Sequence, residues 1–106
     1  MLISIVDTCP GAGVGRTKYL ESRAIRELEA TAAKIGALEL TLDTVKGDDG
    51  DPRFRAVAVL TMKGGATHDV SLQRRSLPLC LADLFETLAF RAKNPTPGTA
   101  IRSRAS

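Results

Sequence analysis

Aromatic residues are scarce in this chain. It has no Trp, one Tyr and three Phe among 106 residues. That excludes the multi-ring stacking platform on which many single-strand binders hold successive bases. Two cysteines exclude a disulfide framework. One His and two distant Cys lack the spacing of a metal finger, so no metal or other cofactor is expected. No apolar run approaches 18 residues, and Met1 opens no basic-apolar-small leader pattern. The expectation is a cytoplasmic protein with reduced thiols and no membrane partner. What remains is ordinary globular material: 43% hydrophobic and 25% charged residues, enough for one aliphatic core. Basic residues number 15 against 12 acidic, a net charge of +3, which leans mildly toward a polyanionic partner.

The hydrophobic pattern changes period along the chain. LISIVD (Leu2 to Asp7) is short, apolar and β-branched, and reads as a buried strand. TCPGAGVG (Thr8 to Gly15) reads as a loop. From Thr17 to Ile35, Leu20, Ala24, Leu28, Ala32 and Ile35 recur on one helical stripe, with Ile25 at its edge. Thr17 is a candidate N-cap and Gly36 a candidate C′ glycine. Residues 38–45 alternate, with Leu38, Leu40 and Leu42 facing one way. Residues 53–63 follow as the longest strand, with Phe54, Ala56, Ala58, Leu60 and Met62 on one face. Gly64-Gly65 signals a two-residue hairpin turn. Residues 67–74 return with His68, Val70 and Leu72 inward. Ser76 can cap a second helix over 77–92, with Pro78 tolerated in its first turn and Leu77, Leu81, Leu84, Phe85 and Leu88 buried. Residues 95–106 hold two Pro, one Gly and two Arg, and read as a disordered basic tail behind a single domain of residues 1–94.

The order β-α-β-β-β-α predicts an α+β fold. The first two strands, joined by a helix, run parallel through a right-handed crossover, and the last three form an antiparallel meander. One apolar face per strand and one stripe per helix give a two-layer sandwich: a four-stranded mixed sheet with both helices on one face.

No catalytic constellation emerges. The glycine-rich loop lies where a phosphate cradle would lie, between a strand and a helix. Yet Pro10 stands at the first glycine of the pattern G-x-x-x-x-G-K-S/T, and Arg16 stands at its lysine. The favoured reading is a flexible connection, with anion binding as the alternative. Cys9 and His68 suggest a nucleophile pair, but Asp69 points to the opposite strand face and cannot orient the imidazole. Cys9 therefore reads as a loop thiol and His68 as a partly buried strand residue.

Basic residues follow the helices. Arg16, Lys18, Arg23, Arg26 and Lys34 lie on or beside the first, Arg74 and Arg75 precede the second, and Arg91 and Lys93 end it. With both helices on one sheet face, these nine could line one basic groove. The bland alternative is a solvated helix face, diluted by Glu21, Glu27, Glu29, Asp83 and Glu86.

Three stretches combine with the element order into a resemblance. LTLDTVKG (Leu40 to Gly47), AVAVLTMKGGATHDVSLQ (Ala56 to Gln73) and CLADLFETL (Cys80 to Leu88) resemble the second strand, the third and fourth strands, and the second helix of the ribosome hibernation-promoting factor family. The family includes the ribosome-associated inhibitors of translation, and the resemblance spans residues 2 to 94. It implies a non-enzymatic factor that binds small-subunit ribosomal RNA through helix Lys and Arg and restrains translation during stasis. Ser76 and Pro78 replace an acidic residue and an aromatic of the family pattern, and Thr87 and Phe90 stand where basic residues are common. The alternative is a protein-interaction or small-anion-binding module on the same scaffold, with no ribosome role.

Overall fold

A computed structural model describes residues 1–94; the expected tail, 95–106, lies outside the described residues. The elements run β1 (Leu2–Asp7), α1 (Val14–Glu27), a 3-10 helix (Glu29–Lys34), β2 (Ile35–Lys46), β3 (Pro52–Met62), β4 (Thr67–Arg74) and α2 (Leu77–Lys93). The sheet order is β1-β2-β3-β4, with β1 parallel to β2 and the other two pairings antiparallel. Both helices pack on one face, giving the two-layer α+β sandwich that the hydrophobic pattern predicts.

Strand register explains why. Three rows of inward side chains cross the sheet: Asp7–Leu42–Ala56–Leu72, Ile5–Leu40–Ala58–Val70, and Ile3–Leu38–Leu60–His68. Small Ala56 and Ala58 in the third strand leave room for the helix layer, where Leu20, Ala24, Leu28, Leu81, Leu84, Phe85 and Leu88 are buried. Each fully buried Leu or Phe contributes about 2 kcal/mol of transfer free energy. Truncating Phe85 to Ala should cost about 3 kcal/mol or more, since packing cannot close the void.

Several local expectations give way to tertiary packing. The first helix starts at Val14, three residues before Thr17, and its N-cap is Gly13 without a side-chain bond. Leu28, at φ −107° and ψ 13°, ends the α-helix. The next turn tightens into 3-10 geometry, which reaches β2 in fewer residues than an α-helix allows. Ile35 and Gly36 therefore belong to β2, and Gly36 is no helix C′ residue. A register shift lies between Ile35 and Ala37, and a Cβ on Gly36 would stand 3.3 Å from the Thr61 carbonyl oxygen. The β3–β4 connection spans residues 63–66, and only Gly65 of its glycine pair has positive φ, at 103°. The Gly65 N–H donates to the Met62 carbonyl at 2.9 Å, and the Met62 N–H to the Ala66 carbonyl at 2.8 Å. This is a wider turn with one left-handed glycine, in place of the expected two-residue turn. The second helix begins as expected: the Ser76 hydroxyl accepts from the Leu79 N–H at 3.3 Å, with Pro78 in the first turn.

Candidate functional site

The sheet has two chemically different ends. At one end β1 stops, the β2–β3 turn passes, and β4 hands over to α2. Asp7 closes β1 on the helix face, and its side chain is only 2% exposed. A buried carboxylate needs a partner, and Arg16 supplies one. Its Nε donates to one carboxylate oxygen at 2.6 Å and its second guanidinium nitrogen to the other at 2.8 Å. The same guanidinium donates to the Cys9 and Pro10 carbonyls at 3.1 and 3.0 Å. Arg16 thus pins the glycine-rich loop to the strand that precedes it. Burial by itself would raise the Asp7 carboxyl, but hydrogen bonds from Arg16 and the Cys9 N–H, with the Arg16 charge, hold it below the ordinary carboxylate range.

The remaining arginines of this end are also paired. Arg53 and Arg75 converge on Asp49 at 2.8 and 2.6 Å, and hydrogen bonds from both, with the Asp51 N–H, hold its carboxyl far below the usual range. Arg55 donates through Nε to Asp43 at 2.9 Å, directly across the β2–β3 ladder. Arg74 reaches over to Asp83 of α2 at 2.8 Å.

The opposite end holds the β3–β4 hairpin, the start of β2 and the C-terminal ends of both helices. Lys34 and Lys63 meet where the Lys63 N–H donates to the Lys34 carbonyl at 2.8 Å. They flank a hollow of about 720 Å³ whose walls include Ala33, Met62 and Ala66. Arg26 lies in the last turn of α1, and Arg91 and Lys93 in the last turn of α2. Among the described residues, none of these five cations forms an ion pair. Arg26, Arg91 and Lys93 are also favourably placed toward the dipoles of their helices.

The nine sequence candidates therefore do not gather in one groove. Arg16, Arg74 and Arg75 are engaged at the acidic end. Arg23 lies between the helices, 3.4 Å from Glu27, 3.1 Å from the Tyr19 hydroxyl and 5.2 Å over the Phe85 ring. The inter-helix cleft, about 610 Å³, sets Arg23 and Lys93 beside Glu27, Asp83, Glu86 and the exposed Phe90 ring. It is a mixed-charge cleft. Lys18 is exposed on α1 near the acidic end. Arg26, Lys34, Arg91 and Lys93 share the hairpin end, joined by Lys63, which sequence reasoning passed over. The sequence signal was its position immediately before the glycine pair, at a predicted turn.

Cys9 lies in the β1–α1 loop, as expected, and its thiol is buried in the core. Burial, then the neighbouring Asp7 charge, raise its thiol above the ordinary value, which disfavours the thiolate a nucleophile needs. His68 stands in the row farthest from the Cys9 end and on the opposite edge strand, so the two do not form a pair. The imidazole is buried, and among the described residues its Nε2 has no hydrogen-bond partner. Burial first, and the Arg91 charge second, push its pKa down, while Asp69 opposes them. Among the described residues no cluster of His, Cys, Asp and Glu could hold a metal ion, and no helix is long and apolar enough to cross a membrane.

No family model matches the chain. Over 100 residues, 90% of its length, the chain is 32% identical to an anthranilate phosphoribosyltransferase of Sinorhizobium medicae (strain WSM419). It spans 30% of the length of that relative.

Proposed function

We propose that the chain is a non-enzymatic, cytoplasmic RNA-binding module that seats on the phosphate backbone of small-subunit ribosomal RNA and restrains translation during stasis. One observation carries this reading. The arginines of one sheet end are engaged by carboxylates, while among the described residues Arg26, Lys34, Lys63, Arg91 and Lys93 stand without ion pairs at the other. Such a group of cations suits recognition of backbone phosphates, which needs positive charge and little base contact. The scarcity of aromatic rings agrees with that mode. The resemblance to hibernation-promoting factors in strand pattern and second-helix spacing supplies the ribosome as the partner.

The test is co-sedimentation with purified small subunits over a salt series. Neutralising about five phosphates gives a slope of log K against log salt on the order of −4. The double reversal Lys34→Glu with Lys93→Glu should weaken association about a hundredfold at low salt, and Arg53→Ala with Arg75→Ala should retain it. No association at low salt, or loss only in the second pair, sinks the reading.

The likeness to the phosphoribosyltransferase favours a second reading: a small-anion-binding module within a larger assembly. Titration with phosphoribosyl diphosphate separates the two, since a ribosomal factor needs no small molecule.

A further inference from the structure

The two edges of the sheet are built differently. The outer strand β4 turns Thr67, Asp69, Ser71 and Gln73 to the helix-free face, a polar row with a charge in it. The outer strand β1 turns Leu2, Ser4 and Val6 to that face, and Leu2 and Val6 are 77% and 52% exposed. Solvent-facing edge strands are normally blocked by Lys, Pro, a bulge or an outward charge. β1 has none of these: its single charge, Asp7, turns to the helix side and is closed by Arg16.

The layer above β1 continues the same surface. Arg23 of α1 lies over Phe85, so that flank of the helix faces α2. At 100° per residue, Val14 and Ile25 fall on the other flank, toward the β1 side. Both are more than half exposed. Leu2, Val6, Val14 and Ile25 are thus four of the seven exposed large hydrophobic residues among those described, and they border one edge.

We infer that this edge is a homodimer interface, in which β1 pairs antiparallel with β1 of a second copy about a two-fold axis at Ser4. The sequence of the strand is self-complementary in that register. Residues opposite one another must share a face, and a two-fold at Ser4 sets Leu2 against Val6, Ile3 against Ile5, and Ser4 against Ser4. Both exposed apolar residues of the strand are covered twice, and no charge opposes a like charge along Leu2–Val6. A two-fold at Ile5 instead sets Ile3 against Asp7 and leaves Leu2 uncovered. The result is an eight-stranded sheet across two copies, with the Val14 and Ile25 flanks of two α1 helices meeting above it. That second layer matters because a strand edge alone is smaller than a stable interface requires.

The experiment is sedimentation velocity of the full chain across the micromolar range, with circular dichroism melting as the folding control. The wild type should sediment as a concentration-dependent dimer. Val6→Lys places two cations in the seam and should weaken the dimer about tenfold or more, with an unchanged melting curve. Ser71→Lys, on the other edge, should leave the dimer intact. Ser4→Cys should cross-link efficiently to a covalent dimer with a short bismaleimide, because the two positions face each other while Cys9 and Cys80 are buried. A monomer throughout the range overturns the proposal, including the case in which a different protein occupies the edge. A dimer that survives Val6→Lys, or that fails to cross-link at Ser4→Cys, overturns the interface. None of these readouts depends on RNA, so they fail or succeed apart from the ribosomal reading.

Discussion

The arginines of the acidic end and the cations of the hairpin end are used oppositely, although Lys18 and Lys46 at the acidic end also form no ion pair among the described residues. At the acidic end the planar fork of Arg grips carboxylates on neighbouring elements: Arg16 on Asp7, Arg55 on Asp43, Arg74 on Asp83, and Arg53 with Arg75 on Asp49. These contacts tie a loop, a turn and the second turn of α2 to the strands. At the hairpin end the cations lie on helix termini and the turn, three of the five being Lys. A lysine is a compact charge on a flexible stem, better suited to a mobile polyanion than to fixing a loop. Charge counted along a sequence therefore overstates what is free to bind a partner.

The largest effect expected from breaking this contrast is at Arg16. Arg16→Ala strands a buried carboxylate and should cost about 3 kcal/mol in urea unfolding. The sign of the pH effect follows from the lowered folded pKa of Asp7. Its contribution is present above the unfolded value of 3.8 and is lost as pH falls through the folded value. Arg16→Ala should therefore flatten the acid limb of the stability profile. An unchanged limb would mean that the pair is not what holds the loop.

Next in size is binding. Lys34→Glu with Lys93→Glu should weaken association with small subunits by about a hundredfold at low salt and reduce the salt slope by about two. Stability should move by no more than about 0.5 kcal/mol, because these side chains are exposed. Filter binding and thermal melts on the same preparations separate the two effects.

His68 gives a smaller effect. Its folded pKa is depressed below 6.5, so the unfolded chain binds the proton more readily. Stability should fall as pH drops through 6.5 toward the folded value. His68→Leu removes both the titration and the unpartnered Nε2, and should stabilise the fold by about 1 kcal/mol. A mutant that still loses stability over that window would assign the titration elsewhere. Association with RNA should be unaffected.

The smallest effect is expected at Arg75, whose contacts with Asp49 and Asp51 are solvent-exposed. Arg75→Ala should leave the thermal midpoint unchanged within error, as for most exposed ion pairs. A clear drop would show that the β2–β3 turn depends on it.

Much of the architecture was legible because it follows from side-chain period. Leu38, Leu40 and Leu42 alternate, the second-helix stripe repeats at helical spacing, and Ser76 with Pro78 marks a helix start, so sheet, helices and layer order follow from local rules. The end of the first helix did not, since Ala-rich residues 30–33 suit either helical geometry and the distance to β2 chose between them. The hairpin turn escaped for a similar reason: a glycine pair permits positive φ at both positions, and the strand register required it at Gly65 alone.

The candidate site was less legible. By itself the sequence determined the four strands, two helices and their shared core, because hydrophobic burial depends on spacing along the chain. It also determined the supply of cations. Which cations remain without carboxylate partners was decided only by the tertiary structure. Asp7 and Arg16 are nine residues apart, Arg55 and Asp43 twelve, and Arg75 and Asp49 twenty-six. An ion pair depends on distances of a few ångströms in space, and those are set by strand register and helix docking rather than by order in the chain.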